Sequence, residues 1–169
     1  IARERITRAS GGPPTMDWDL MQHATIGETD VSSVAEVGGG GAARPVENVA
    51  RIQRTFPNAV PVVAWGMTET SAIGSSAVGE EYVKRPTSCG RPAWILDVRI
   101  VDENENELPV GQAGEIQVRG ASVIRGYWND PQATADAITD GWVRSGDVGY
   151  LDSEGFLYIS GRTKDTVIR

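Results

Sequence analysis

The stretch VAEVGGGGAARPVENVARIQRTFPNAVPVVAW, Val34 to Trp65, reads as strand, glycine loop, helix, strand. VAEV is a short apolar run. In PVENVARIQRTF, Val49, Ile52 and Phe56 fall at helical spacing, and Pro45 suits a first helical turn. AVPVVAW then reads as a buried strand. A strand–helix–strand unit of this length implies parallel neighbours joined by a right-handed crossover. Ligands of such sheets sit beyond the carboxyl ends of the strands. The glycine loop, Gly38 to Gly41, and the loop that begins at Trp65 are both expected at those ends, so two separate features converge on one edge.

From about Cys89 the period changes. LDVRIV places Leu96, Val98 and Ile100 on one face, and EIQVR does the same with Ile116 and Val118. GYLDSEGFLYIS reads as a hairpin turning at Asp152 to Gly155, and Gly155 is free to take positive φ. Short strands separated by turn signals suggest an antiparallel sheet or small barrel. One helix interrupts them at DPQATADAIT, with Asp130 as N-cap before Pro131. The expected fold class is α/β followed by β: a parallel strand–helix–strand portion, then a small antiparallel barrel-like subdomain. The expected divisions are 1–88, 89–160 and a final segment 161–169, with residues 75–88 as the joint between the two regimes.

The 169 residues carry 23 acidic against 16 basic side chains, a net charge of −7. That excess disfavours a nucleic-acid partner, which normally meets a basic face. A single cysteine, Cys89, excludes an internal disulfide and a thiolate metal cluster. A single histidine, His23, argues against a histidine-rich zinc site or a histidine general base. A reducing cytoplasm fits best, at most at the periphery of a membrane, since no apolar run approaches a membrane span. The chain opens on Ile1 and closes on TVIR without a cap, so both ends are expected to be cut from a longer protein.

Several motifs invite chemistry, each beside a plainer reading. GGGGAA offers backbone amides to an anion, yet lacks the ending of a P-loop and the spacing of a dinucleotide fold. Taken alone, a tight connection explains it better. In WGMTETS, hydroxyls can donate to phosphate, Glu69 can ligate Mg²⁺ and Trp65 can stack on a planar base. A surface loop with hydroxyls capping its own backbone is the alternative. Asp147, in SGD, can accept from a ribose diol or be a turn aspartate. Arg162, Lys164 and Asp165 can be a solvated charge run.

Taken in order, GGGGAA, WGMTETS, RSGDVGYLD and GRTKD resemble the adenylate-forming enzymes: acyl- and aryl-CoA synthetases, luciferases and peptide-synthetase adenylation domains. CGRP, GEIQVRG and GYWNDPQAT are similar to family patterns too, so the resemblance runs along the whole chain. It implies that Trp65 and Gly66 flank the adenine, where the family more often has tyrosine at the aromatic position. Thr68 would contact the phosphate and Glu69 would hold Mg²⁺, making these two the catalytic pair. Asp147 would bind the ribose hydroxyls with Arg162 assisting, and Lys164 would lie at the hinge to a C-terminal domain. Gly40, Gly41 and Ala42 match a Gly-Gly-Ala loop near the base and acyl pocket, which displaces the phosphate-cradle reading. Ala43 stands where the family usually has proline.

The implied reaction has a carboxylate attack the α-phosphate of ATP, releasing pyrophosphate, after which the thiol of CoA displaces AMP. The family's lysine-ending phosphate loop and its lysine-bearing C-terminal domain are not in this sequence, so the chain alone is expected to be inert. The continuation DTVIR and the opening RITRASGGPPTMDWDLMQH resemble fatty-acyl-CoA ligases, implying a fatty acid substrate and a role in lipid metabolism. Met16, Trp18 and Met21 could line a lipid pocket or simply be core. An aryl-CoA ligase, a peptide-synthetase-type adenylation domain, and a non-catalytic nucleotide- or acyl-binding module are the alternatives.

Overall fold

A computed structural model describes residues 1–163, so the expected hinge residue Lys164 lies outside the described residues. The chain divides into two units. One comprises residues 1–64 and 76–90; the other comprises residues 65–75 and everything from Arg91 onward.

The first unit carries β1 (Arg8–Ser10), α1 (Pro14–Gln22), β2 (Glu36–Gly39), α2 (Val46–Thr55) and β3 (Val60–Trp65). β4 (Ser75–Val78) and α3 (Glu80–Lys84) follow. The strand order is β1-β2-β3-β4, and β2 pairs in parallel with both β1 and β3. The expected strand–helix–strand unit is therefore β2–α2–β3. Its helix begins at the residue after Pro45, and Val49 and Ile52 point into the core. Ile52, Phe56, Val34 and Val37 are fully buried together with Met21 and Ala59. Each of the Val, Ile, Phe and Met side chains contributes roughly 1.5–3 kcal/mol of hydrophobic stabilisation. The stretch expected as a joint is itself structured: it holds β4 and α3, and Tyr82 of α3 is buried against Val49, Val63 and Ala77.

The glycine run has a steric cause. A Cβ on Gly38 would lie 2.0 Å from the Val62 carbonyl oxygen, and one on Gly40 would lie 2.1 Å from that of Ala64. No side chain fits between strands this near, whereas Gly41 faces open space and is selected by its φ of +84°. Behind this loop, Arg44 enters the interior. Its guanidinium is 1% exposed and pairs with the Asp17 carboxylate of α1, itself 7% exposed. Arg44 also donates to the Val62 carbonyl at 2.9 Å. Burial holds the Asp17 carboxyl above its ordinary value even against the attraction of Arg44.

The second unit opens with the two-residue β5 (Arg91–Pro92), then β6 (Leu96–Val101) and β7 (Gly114–Gly120). α4 (Pro131–Ala137), β8 (Ile138–Thr139), β9 (Trp142–Leu151) and β10 (Leu157–Arg162) complete it. An antiparallel sheet runs β10-β9-β7-β6, with β8 added to β9. The α/β-then-β class is what the structure has. The hairpin closes as expected: Gly155 N–H donates to the Asp152 carbonyl at 3.0 Å with φ +79°. Asp130 caps α4 by accepting from the Ala133 N–H at 2.9 Å. Ile116 and Val118 are fully buried, but so is Gln117 between them. That amide is satisfied: it accepts from Arg99 at 2.7 Å and donates to Glu105 at 2.8 Å.

Removing one partner of the buried ion pair leaves an uncompensated charge. Asp17→Ala is expected to cost about 3–5 kcal/mol, while Asp17→Leu combined with Arg44→Met recovers most of the loss. The check is the urea unfolding midpoint of the three proteins.

Candidate functional site

Within the second unit, a cleft of about 1350 Å³ is lined by Gly66, Thr68 and Glu69 from the first loop and by Arg162 from β10, with Tyr127 and Arg144 also on its wall. The loop that follows Trp65 makes a tight turn at Thr68–Thr70. Its hydroxyls divide into two kinds. Thr70 is fully buried and holds the turn: its Oγ1 accepts from the Met67 N–H at 3.2 Å and donates to the Met67 carbonyl at 3.1 Å. Ser71, with φ +54°, donates to the Ser122 carbonyl at 3.0 Å. Thr68 is exposed on the cleft wall.

Glu69 is anchored through both main chain and side chain. Its carbonyl accepts from the Ile124 N–H at 2.9 Å, and its Oε1 accepts from the Tyr127 hydroxyl at 2.5 Å. One carboxylate oxygen is thereby oriented and the other keeps its acceptor capacity. Tyr127 went unnoticed in the sequence, where GYWND was only a pattern match with no chemistry attached. Its hydroxyl is pushed above its ordinary value because it donates to the Glu69 carboxylate.

Asp147 sits near the middle of β9, opposite Arg162 of β10. Trp65 Nε1–H donates to its Oδ2 at 2.8 Å, and Arg162 Nε–H donates to its Oδ1 at 3.1 Å. Its own N–H donates to Ser145 Oγ at 3.0 Å, and Gly146 beside it takes φ +70°. The structure thus gathers Trp65, Gly66, Thr68, Glu69, Asp147 and Arg162 in one unit, along the first loop and the β9–β10 pair.

Gly40, Gly41 and Ala42 belong to the first unit. There Ala42 lines an apolar cavity of about 610 Å³ with Ala43, Pro14 and Trp18. Trp18 is 38% exposed and carries the Arg51 guanidinium 4.6 Å over its ring, whereas Met16 is 60% exposed and Met21 is core.

Among the described residues, no group of three or more His, Cys, Asp or Glu could hold a metal by itself. Mg²⁺ is commonly bound through one carboxylate plus substrate phosphates, and a single oriented Glu69 suits that mode. No helix of the described residues is long and apolar enough to cross a membrane.

A raised phenol in the folded state contributes stability that is present below its unfolded value near 10 and is lost as pH rises through the higher folded value. Glu69→Gln is therefore expected to bring the Tyr127 titration down and to flatten stability against pH in that alkaline window. Tyrosinate absorbance during alkaline titration of both proteins checks this.

The chain is 36% identical over 161 residues to a long-chain-fatty-acid–CoA ligase of Bacillus subtilis (strain 168), covering 93% of this chain and 28% of that protein. It is 34% identical to an indoleacetate–CoA ligase of Aromatoleum aromaticum, covering 99% of this chain and 32% of that one. The amide bond synthetase McbA of Marinactinospora thermotolerans superposes with a TM-score of 0.87 at 32% identity, covering 99% of this chain and 34% of the synthetase. The chain thus spans about a third of the length of such relatives. Residues 1–128 match the family described as AMP-binding enzyme, and the chain belongs to that family.

Proposed function

We propose that the chain is part of an ATP-dependent acid–thiol ligase that activates a fatty acid as its acyl-adenylate and transfers the acyl group to CoA. The observation that carries this reading is the gathering of Thr68, Glu69, Asp147 and Arg162 in one unit. Thr68 and Glu69 lie on a cleft wall, and Asp147 is held with two acceptor sites to spare. In the first step the acid's carboxylate oxygen bonds to the α-phosphorus of ATP while the bond to the departing pyrophosphate breaks. In the second, the CoA sulfur bonds to the acyl carbon, AMP leaves with the electron pair of the broken C–O bond, and the thiol proton passes to solvent.

Both partners of the first step are anions and repel each other. Thr68 would donate its hydroxyl to a phosphate oxygen, and Asp147 with Arg162 would fix the ribose so that the α-phosphate is presented to the acid. Mg²⁺, when bound at Glu69, supplies charge neutralisation on the phosphates. Trp65 and Gly66 would flank the base, while Gly40, Gly41 and Ala42 would border the base and acyl group. Lys164 would serve as the hinge toward a C-terminal domain.

The apolar cavity beside Ala42 and Trp18 supports an apolar acid. An aryl acid is the second reading, favoured by the indole of Trp18 on that cavity's wall and by the named activity of the Aromatoleum relative.

Acid-dependent pyrophosphate exchange by the full-length protein, across a panel of aliphatic and aryl acids, tests the reading. Exchange with long aliphatic acids is expected, and no exchange with any acid overturns it. Asp147→Ala is expected to raise the KM for ATP about ten- to a hundredfold, as loss of hydrogen bonds to a charged group does. The 169-residue chain alone is expected to give no exchange.

A further inference from the structure

The contacts around Asp147 are unequal, and the inequality assigns a role to Trp65. The Arg162 side chain is 71% exposed, and a solvent-screened pair of that kind contributes little to holding a carboxylate still. The indole is 8% exposed and its N–H meets a carboxylate only 13% exposed, so this bond forms away from water.

The ring is also confined. A Cβ on Gly74 would lie 2.7 Å from Trp65 Cε3 and 2.2 Å from the Trp65 carbonyl oxygen. One on Gly66 would lie 2.5 Å from the Ala72 carbonyl oxygen. The loop packs the Gly74 backbone onto the indole where only glycine fits, and this restrains the ring whose Nε1 meets Oδ2.

Both partners of Asp147 are donors only: neither an indole N–H nor a guanidinium can accept. The carboxylate is acceptor-only, with about four lone-pair sites, of which these partners use one on each oxygen. What remains is one acceptor site per oxygen, in a plane that Trp65 fixes. A vicinal diol offers two O–H donors and satisfies both sites. A sugar lacking one hydroxyl leaves an acceptor buried and unmatched.

We infer that Trp65 is a positioning residue whose indole N–H orients Asp147 to select ribose over deoxyribose nucleotides. This rests on the reading that Asp147 binds the ribose, and it is separate from any stacking of the ring on the base.

The test is calorimetric titration of the full-length protein with ATP and with 2′-deoxy-ATP, for wild type, Trp65→Phe and Asp147→Asn. Trp65→Phe keeps an apolar aromatic ring and removes the N–H together with part of the indole's volume. Wild type is expected to prefer ATP by about ten- to a hundredfold, the usual effect of leaving a charged acceptor unpaired. In Trp65→Phe that preference falls about tenfold, mostly through weaker ATP binding, and it falls at least as far in Asp147→Asn. A Trp65→Phe protein that loses affinity for both nucleotides equally overturns the inference alone, because a merely structural indole would weaken both. A wild type without preference, or an Asp147→Asn protein that keeps it, overturns the ribose reading and the inference with it. Should Trp65→Phe not fold, the indole N–H resonances of ¹⁵N-tryptophan-labelled protein replace it. One resonance is expected to move in Asp147→Asn and to move on addition of ATP to wild type; no such resonance overturns the assignment.

Discussion

Two neighbouring backbones, β2 and β3, lie too near each other for any side chain at Gly38 or Gly40, and much of the first unit follows from that constraint. Along the parallel register between Glu36–Gly39 and Val60–Val63, main chain meets main chain at the glycines, while Val37 and Val63 give their side chains to the core. The rest of the apolar packing comes from the helices: Ile52 and Phe56 from the α2 side, Met21 from α1, Tyr82 from α3. Arg44 leaves the glycine loop directly into this interior. Its pairing with Asp17 ties the loop to α1 at a point where a solvated arginine would have left both free. A buried pair of this kind is poor evidence of net stability, but it specifies one arrangement of loop and helix, since any other strands a charge.

The second unit solves a different problem, which is to hold two carboxylates still. A carboxylate on a turn rotates among its rotamers and meets a ligand with its entropy yet to be lost. Here Glu69 is restrained by the Tyr127 hydroxyl and Asp147 by the Trp65 indole, each on one oxygen. The restraining groups come from elements remote in sequence, 58 and 82 residues away respectively. Glu69 and Asp147 are thus oriented before any ligand arrives, which is where the cost of ordering is best met.

What was legible in the sequence was periodic or punctuated. The β2–α2–β3 unit showed in the spacing of Val49, Ile52 and Phe56, and the hairpin showed in Asp152 and Gly155, because a single short-range cause produces each. The order of the glycine loop, WGMTETS, SGD and GRTKD was legible as a family pattern. What was hidden depends on long-range geometry. Nothing in EIQVR marks Gln117 as buried, because its burial depends on Arg99 and Glu105 arriving from other positions to satisfy it. The segment 75–88 looked connective because its strand is short and its helix shorter, yet Tyr82 anchors it in the core. Tyr127 was invisible as a site residue because its only local sign is an aromatic beside a tryptophan.

The hydroxyl-rich loop shows why composition misleads about sites. Of its polar side chains, Thr70 serves the turn itself and Ser71 ties the turn to Ser122, so neither is available to a ligand without dismantling the loop. The exposed Thr68 and the half-engaged Glu69 remain. The ratio is physically reasonable, since a loop that holds a charged group still must use some of its polar atoms as braces. A motif such as Trp-Gly-Met-Thr-Glu-Thr therefore mixes bracing groups and cleft-lining groups within a few residues. Only the partner of each side chain separates them: Thr70 bonds to Met67 and Ser71 to the Ser122 carbonyl, whereas Thr68 and Glu69 line the cleft.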